Sequence, residues 1–204
     1  GGNIMPGFNG NRLREMRIVR KITLEQLAKD LGMTKQAVSK YEHNQSIPAP
    51  ETINKILSVL RMPYKYLCKE DICYNSECST LFFRAMSSTT LGNVGYADII
   101  SRWGYEILSA IETPRAKQFS LPIMKDDLAI TDKALELRRH WGIGLLPIKN
   151  MTKILEDNGV FVFVIDTTDL NTDAYSRIIN GIPVIVLNKS KGTAVRWRFS
   201  LAHE

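Results

Sequence analysis

The chain has few of the features that mark membrane-spanning or secreted proteins. No apolar run approaches the roughly 20 residues of a transmembrane helix, and no charged-then-apolar stretch opens it as a secretion signal would. Its three cysteines, Cys68, Cys73 and Cys78, are an odd number, which argues for reduced thiols in a cytoplasmic protein. Their equal five-residue spacing leaves a three-cysteine metal site as an alternative, although C-x-x-C is the usual spacing for such sites.

Acidic residues are scarce in the first third of the chain. Residues 1–70 carry 12 Lys or Arg against 6 Asp or Glu, whereas residues 71–204 carry 15 of each, so the whole formal net charge of +6 lies in the first third. A basic surface confined to one region is expected where a protein contacts nucleic acid. A basic surface that serves solubility alone is the alternative.

The length and composition fit two modest globular domains. The chain has 204 residues, of which 44% are hydrophobic and 24% charged, as in ordinary globular proteins. The residue pattern predicts a mainly α protein with a small β element. We expect the natural start at Met5, a five-helix helix-turn-helix domain at residues 5–70, a linker at 71–95 and an α+β domain at 96–204.

Five short helices are predicted between residues 10 and 68. The first is expected from about Asn11 to Lys21. Thr23 is expected to cap the second helix with Gln26 as its capping-box partner, and Thr34 to cap the third. The fourth and fifth are expected to begin at the two prolines of this region, where a missing N–H is tolerated.

The second and third helices carry the pattern of a helix-turn-helix. This motif needs a small residue where the helices cross, a glycine at the turn and an apolar anchor on the second helix. Ala28, Gly32 and Val38 occupy these positions in order. A plain helical hairpin is the alternative.

Residues 12–67 resemble the XRE family of phage-repressor-like regulators across the five-helix domain. The resemblance makes Thr34 to His43 the recognition helix and implies a double-stranded DNA operator as partner. It also implies a buried ion bridge between Arg17 and Glu42. The residues expected to contact DNA are Thr23, Thr34, Lys35, Gln36, Ser39, Lys40 and Asn44.

These residues suit different parts of the duplex. Gln36 suits bidentate contact with adenine and Lys35 suits guanine. Thr23, Lys40 and Asn44 would hold phosphates and set the docking angle. Regulators of this class commonly bind two half-sites about one DNA turn apart, so a homodimer is expected.

The downstream pattern combines helices with a β-hairpin. Helices are predicted from Tyr96 to Ile111, from Asp126 to Trp141 with Leu128, Leu135 and Trp141 buried, and, as a turn or two, from Met151 to Asn158. One ordered stretch is expected near Leu81–Phe83. Short β-branched runs then predict strands at 160–165 and 183–187, with Tyr175–Ile179 as the partner that enters an Asn180–Gly181 turn. A last helix begins near Val195.

The chain ends in His203-Glu204, the first half of an H-E-x-x-H sequence on that last helix. Residues from about 96 to 204 look like the ImmA/IrrE family of zinc metallopeptidases, which implies a zincin-like α+β domain, here incomplete at the C-terminus. The residues that carry this resemblance are Ala134-Leu135-Glu136-Leu137-Arg138, Trp141-Gly142-Ile143-Gly144, Leu155-Glu156-Asp157-Asn158-Gly159-Val160, Gly181-Ile182-Pro183-Val184-Ile185 and Arg198-Phe199-Ser200-Leu201-Ala202-His203-Glu204.

In an H-E-x-x-H helix two histidines four residues apart ligate zinc, while the glutamate accepts a proton from the metal-bound water. The resemblance therefore makes His203 the first zinc ligand and Glu204 the general base. The second histidine and the third ligand are not among the 204 residues, so we expect the chain as it stands to lack zinc and peptidase activity. It would be a piece of a longer enzyme, a naturally shortened regulator or a fragment left by cleavage.

Together these patterns predict a cytoplasmic, DNA-binding transcription regulator of prophage, mobile-element or stress-response type. Its downstream peptidase domain, when complete, would cleave a repressor or another partner protein. Two alternatives stay open: the downstream domain is a non-catalytic sensor or dimerisation module, or it is the toxin of a toxin–antitoxin pair that represses its own promoter.

Overall fold

The computed structural model describes residues 7–71, 91–111, 118–168 and 170–203. Of these, residues 7–71 and 91–99 form one compact unit, and the described residues from 100 onward form a second. The ordered stretch expected near Leu81–Phe83 lies outside the described residues.

The first unit is helical, as its sequence pattern predicts. Its helices up to residue 71 are α1 Gly10–Val19, α2 Leu24–Leu31, α3 Lys35–Glu42, α4 Pro50–Leu60 and α5 Tyr64–Leu67. Pro50 is the first residue of α4, and Pro63 immediately precedes α5. The first helix begins one residue before its predicted start, with Asn9 as its N-cap. It ends before its predicted end, because Arg20 caps it and Lys21 takes a left-handed conformation with φ 55°.

One apolar core holds these helices together, and every one of them contributes to it. The buried members are Leu13, Met16, Leu27, Ala28, Leu31, Val38, Ile53, Ile56, Leu60 and Leu67. Because α1 to α5 are each only 4 to 11 residues long, this shared burial stabilises them more than their intrinsic helix propensity does.

Helix α1 begins against the C-terminal end of α3. The backbone N–H of Gly10 donates to the Asn44 side-chain oxygen at 2.7 Å. A Cβ atom on Gly10 would overlap the Tyr41 carbonyl oxygen and would lie 2.9 Å from Asn44 Oδ1. Glycine is therefore required at position 10 by the close approach of two backbones.

A second buried contact joins α1 to α5. The Arg12 side chain, 1% exposed, donates to Glu15 at 2.9 Å and to the Glu70 carbonyl at 2.8 Å. The hydroxyl of Tyr66 also donates to Glu15. Burial and this bond to a carboxylate raise the pKa of Tyr66 well above its ordinary value, so Tyr66 stays a neutral donor.

The described part of the second unit combines helices with a three-stranded sheet. Its elements are the later residues of α6 Leu91–Ala110, α7 Ile130–His140, α8 Met151–Asp157, β1 Phe161–Ile165, β2 Ala174–Ile179, β3 Ile182–Asn188, a 3-10 turn Lys189–Lys191 and α9 Ala194–His203. Helix α6 begins at Leu91, five residues before its predicted start and inside the expected linker.

The sheet has the order β1-β3-β2. Strands β2 and β3 form the predicted antiparallel hairpin. Asn180 and Gly181 both have positive φ, at 50° and 76°, which is the conformation that an Asn-Gly hairpin turn requires. Strand β1 pairs with β3 in parallel, an arrangement that the residue pattern did not predict.

Asn188, 1% exposed, closes the loop between β1 and β2. Its side-chain nitrogen donates to the Thr167 carbonyl at 2.9 Å, and its side-chain oxygen accepts from the hydroxyl of Ser190 at 3.0 Å. Because this amide lies at the end of β3, it fixes the start of the turn that leads into α9.

Helix α7 differs most from its prediction. It begins at Ile130 rather than Asp126, and none of its residues is buried. Of the three positions expected to be buried, Leu128 and Trp141 are half-buried and Leu135 is 37% exposed. The reason is a groove between α7 and the sheet, described below.

The Gly10 contact makes a testable prediction. Alanine normally favours a helix over glycine by about 1 kcal/mol, but here the added methyl group meets a fixed carbonyl. We expect Gly10→Ala to lower the free energy of unfolding by about 1–3 kcal/mol, measured by urea denaturation. Gly7→Ala is the matched control, because a Cβ there has nothing within 4 Å. Equal stability of the two variants would contradict the steric argument.

Candidate nucleic-acid interface

The helix-turn-helix is formed by α2 and α3, with the caps that the sequence predicts. The hydroxyl of Thr23 accepts from the N–H of Gln26 at 3.0 Å, and that of Thr34 accepts from Ala37 at 3.2 Å. Gly32 ends α2 in the left-handed conformation, with φ 68°. The two threonine hydroxyls therefore define where both helices begin.

One detail of the predicted capping box is wrong. The Gln26 side chain does not complete the box at Thr23 but donates to Asp30 at 2.7 Å, one turn along α2. The cap therefore rests on the threonine hydroxyl.

Helix α3 has distinct inner and outer sides. Val38 and Glu42, 0% and 3% exposed, face inward. Lys35, Gln36 and Lys40 are exposed. This division follows the helical period, because residues three or four positions apart share a face.

A bidentate ion pair fixes α3 against α1, as the family resemblance implies. Arg17 Nε lies 2.6 Å from Glu42 Oε1, and Arg17 Nη2 lies 2.9 Å from Oε2. A third donor of the guanidinium bonds the Ile22 carbonyl at 3.1 Å, in the connection between α1 and α2. The pair is therefore structural, and one side chain joins α1, the α1–α2 connection and α3.

The exposed face of α3 and the start of α2 form a concave surface, and the depression that it lines has a volume of about 490 Å³. It brings together four of the residues expected to contact DNA and adds Leu24, which the sequence pattern predicts to point into the core. The lining residues are Leu24, Lys35, Gln36, Ser39 and Lys40.

Asn44 has a structural task as well as its expected one. Its φ is 56°, and its side-chain oxygen accepts from the N–H of Gly10. The residue is exposed, and its amide nitrogen is the group that could donate to a phosphate oxygen. His43 follows α3, and its Nδ1 lies 2.8 Å from the Ser39 carbonyl.

Part of the basic charge of the first third is engaged in folding. Arg12 and Arg17 hold the carboxylates described above. Arg20 donates to the carbonyls of Leu60 and Arg61, at 3.0 and 3.2 Å, where α4 ends. By contrast, Lys35 and Lys40 present their charge on the exposed face of α3.

The predicted zinc ligand, His203, lies in the second unit. His203 is the last residue of α9 and stacks on Phe199, with ring centroids 6.2 Å apart. Glu204 lies outside the described residues. Within the described ranges, no three His, Cys, Asp or Glu side chains cluster closely enough to hold a metal ion, and one histidine cannot hold catalytic zinc.

His203 borders a groove of about 800 Å³. The groove is lined by α7, α8, α9 and the β2–β3 hairpin, and most of its side chains are apolar. They are Phe119, Leu121, Ala134, Leu137, Trp141, Ile143, Ile148, Met151, Ile154, Leu155, Val160, Ile178, Pro183, Ile185, Leu201 and Ala202, with Arg138, Ser176, Arg177 and His203 as the polar ones. The groove separates α7 from the sheet and leaves that helix half-exposed.

Comparison with known proteins finds a family match within the first unit. The helix-turn-helix family matches residues 13–67, which run from within α1 to the end of α5. These residues are therefore a helix-turn-helix domain of the XRE type. Among the described residues, no helix has both the length and the apolar character needed to cross a membrane.

Two curated relatives from Bacillus subtilis (strain 168) match over 59 residues each. The chain is 42% identical to the uncharacterized HTH-type transcriptional regulator RghRB and 37% identical to the HTH-type transcriptional repressor RghR. Each match covers 28% of this chain, and 42% and 44% of the respective relative. The chain thus spans less than half the length of these relatives. No solved structure matches the chain significantly.

The Arg17–Glu42 pair makes a second prediction. Arg17→Met leaves the Glu42 carboxylate, 3% exposed, buried without its partner, so we expect a loss of about 3–5 kcal/mol in unfolding free energy. The double variant Arg17→Met/Glu42→Leu should recover most of that loss, because it removes both charges. Chemical denaturation of the three proteins measures this.

An exposed ion pair is the control. Lys153 and Asp157 are 3.0 Å apart with side chains 68% and 50% exposed, so Lys153→Met should change stability by less than about 1 kcal/mol. A double variant as unstable as Arg17→Met would refute the argument from an unpaired buried charge.

Proposed function

We propose that the protein is a transcription regulator that binds a specific double-stranded DNA operator through α3 in the major groove. The observation that carries the proposal is the concave surface of α2 and α3. It combines two ammonium groups, an amide and a hydroxyl on a helix that the core and an ion pair hold rigidly. Polar groups preorganised in this way suit the reading of base edges.

The residues divide between reading and positioning. The Gln36 amide both donates to and accepts from the edge of adenine, and the Lys35 ammonium donates to the two acceptors of guanine. Lys40, Ser39 and the N–H groups at the start of α2 serve the phosphates. Thr23 and Thr34 act mainly by fixing where the two helices begin, and the amide nitrogen of Asn44 adds a peripheral phosphate contact.

We also propose that the protein binds as a homodimer. Helix-turn-helix regulators of this type bind two half-sites about one turn of DNA apart. An operator selected in vitro from random duplexes should then be a palindrome with that spacing. A selected site without two-fold symmetry would contradict the dimer.

Variants of the concave surface test the operator proposal. Gln36→Ala should weaken binding to the selected operator by about 1–3 kcal/mol and relax specificity at one base pair. Lys40→Ala should weaken binding to all sequences alike and reduce the salt slope by about one. Fluorescence anisotropy titrations at several salt concentrations measure both quantities.

Lys55→Ala is the matched control. It removes the same charge from an exposed position of α4, outside the concave surface. If Lys55→Ala and Lys40→Ala weaken binding equally, the effect is one of net charge and the assigned surface is wrong. If no duplex is selected at all, the operator proposal fails.

For the second unit, we propose the N-terminal part of an ImmA/IrrE-like peptidase domain. Two features support this: α9 carries His203 to the border of a large groove, and the hairpin and turn that lead into α9 have the predicted order. In a complete domain His203 would be a zinc ligand and Glu204 the general base, and the substrate would be a repressor, an antitoxin or another partner protein.

Metal content tests this second proposal independently of DNA binding. The protein is expressed with any residues that its gene encodes after Glu204, and zinc is measured by mass spectrometry. We expect one zinc per chain, absent in His203→Ala and retained in Glu204→Gln and in the control His43→Ala. A zinc-free protein, or zinc retained in His203→Ala, would contradict the proposal.

A further inference from the structure

The concave surface of the first unit contains one apolar side chain among four polar ones. Leu24 lines it together with Lys35, Gln36, Ser39 and Lys40. The polar members have hydrogen-bonding groups that suit base edges or phosphates. Leu24 has none, so its place in this surface calls for a different chemical partner.

Leu24 is held in a fixed position. It is the first residue of α2, directly after the Thr23 cap, and it is half-buried against the core of the unit. Helix α2 is in turn fixed to α3 through Ala28 and Val38, which are 3% and 0% exposed. The exposed part of Leu24 therefore keeps a constant relation to the outer face of α3.

The major groove offers one apolar group to such a side chain. Adenine, guanine and cytosine present hydrogen-bond donors and acceptors there, and thymine adds a C5-methyl group beside its O4 acceptor. Gln36 on the same surface suits adenine. An apolar side chain next to it can therefore read a thymine of the same or a neighbouring base pair.

We propose that Leu24 is a specificity-determining residue that packs against the 5-methyl group of one thymine in each half-site. The inference rests on the proposed operator binding and adds a determinant on α2 to those on α3. The selected operator should contain a thymine that cannot be exchanged for uracil without loss, because uracil lacks only this methyl group.

The expected effect follows from the burial of one methyl group. Removing it should weaken binding about fourfold per half-site, since a buried methyl or methylene is worth about 0.8 kcal/mol and about 1.4 kcal/mol is a factor of ten. The loss is small beside that of a bidentate contact, so it must be measured as a difference between matched duplexes.

The experiment is a thymine-to-uracil scan of the selected operator with the 204-residue protein. Each thymine is replaced singly in one half-site, and Kd is measured by fluorescence anisotropy. We expect one position at which uracil costs about fourfold with the unaltered protein. Leu24→Ala should bind the thymine operator less tightly and show no further loss on that uracil duplex.

Leu57→Ala is the matched protein control. Leu57 is also half-buried against the same core but lies on α4, so this variant should retain the uracil effect. Thermal unfolding of both variants reports any general loss of stability. The scan with the unaltered protein shows by itself whether a thymine methyl group contributes to binding, and the unfolding curves show whether Leu24→Ala is folded.

The outcomes separate this inference from the proposed function. An operator that binds tightly but tolerates uracil at every position overturns the role of Leu24 and leaves operator binding intact. A uracil effect that persists in Leu24→Ala also overturns it. Failure to select any duplex overturns operator binding itself, and this inference with it.

Discussion

The bidentate contact between Arg17 and Glu42 fixes the geometry of the helix-turn-helix unit. It joins α1 to the inner side of α3, and the same guanidinium also holds the connection between α1 and α2 through the Ile22 carbonyl. A buried pair of this kind adds little net stability compared with apolar packing, but its two parallel hydrogen bonds require a specific geometry of the two side chains. The orientation of α3, and with it the concave surface of α2 and α3, depends on this contact.

The two units differ in how completely their apolar surface is covered. In the first unit the five short helices share one core. In the second, the sheet and α9 bury a smaller cluster that includes Leu155, Ile185 and Leu201, while α7 stands across an apolar groove and buries none of its residues. The first unit thus presents a mostly polar concave surface, and the second presents an open apolar groove, so the two are suited to different kinds of partner.

The sequence predicts local features better than close approaches between distant segments. The caps at Thr23 and Thr34, the left-handed Gly32 and the Asn180–Gly181 turn each depend on a few neighbouring residues, and all were confirmed. The contact that requires Gly10, the buried amide of Asn188 and the parallel pairing of β1 with β3 join residues far apart in the chain. Helix α7 was misjudged because an amphipathic pattern indicates which face is apolar, not whether another element covers that face. Leu24 was assigned to the core alone for a related reason: its place beside Gln36 arises from the crossing of two helices.

The inner and outer residues of α3 have different roles, and this difference has a consequence for how the protein can diverge. Val38 and Glu42 hold the helix in place, and Lys35 and Gln36 point away from that framework. Exchanges at the outer positions leave the interior untouched. Under the proposed operator binding, duplicated copies of the gene can therefore acquire new operators in a few substitutions while the scaffold stays constant. The same property makes the outer positions, together with residue 24, a compact set for a randomised library aimed at retargeting the protein to a chosen promoter.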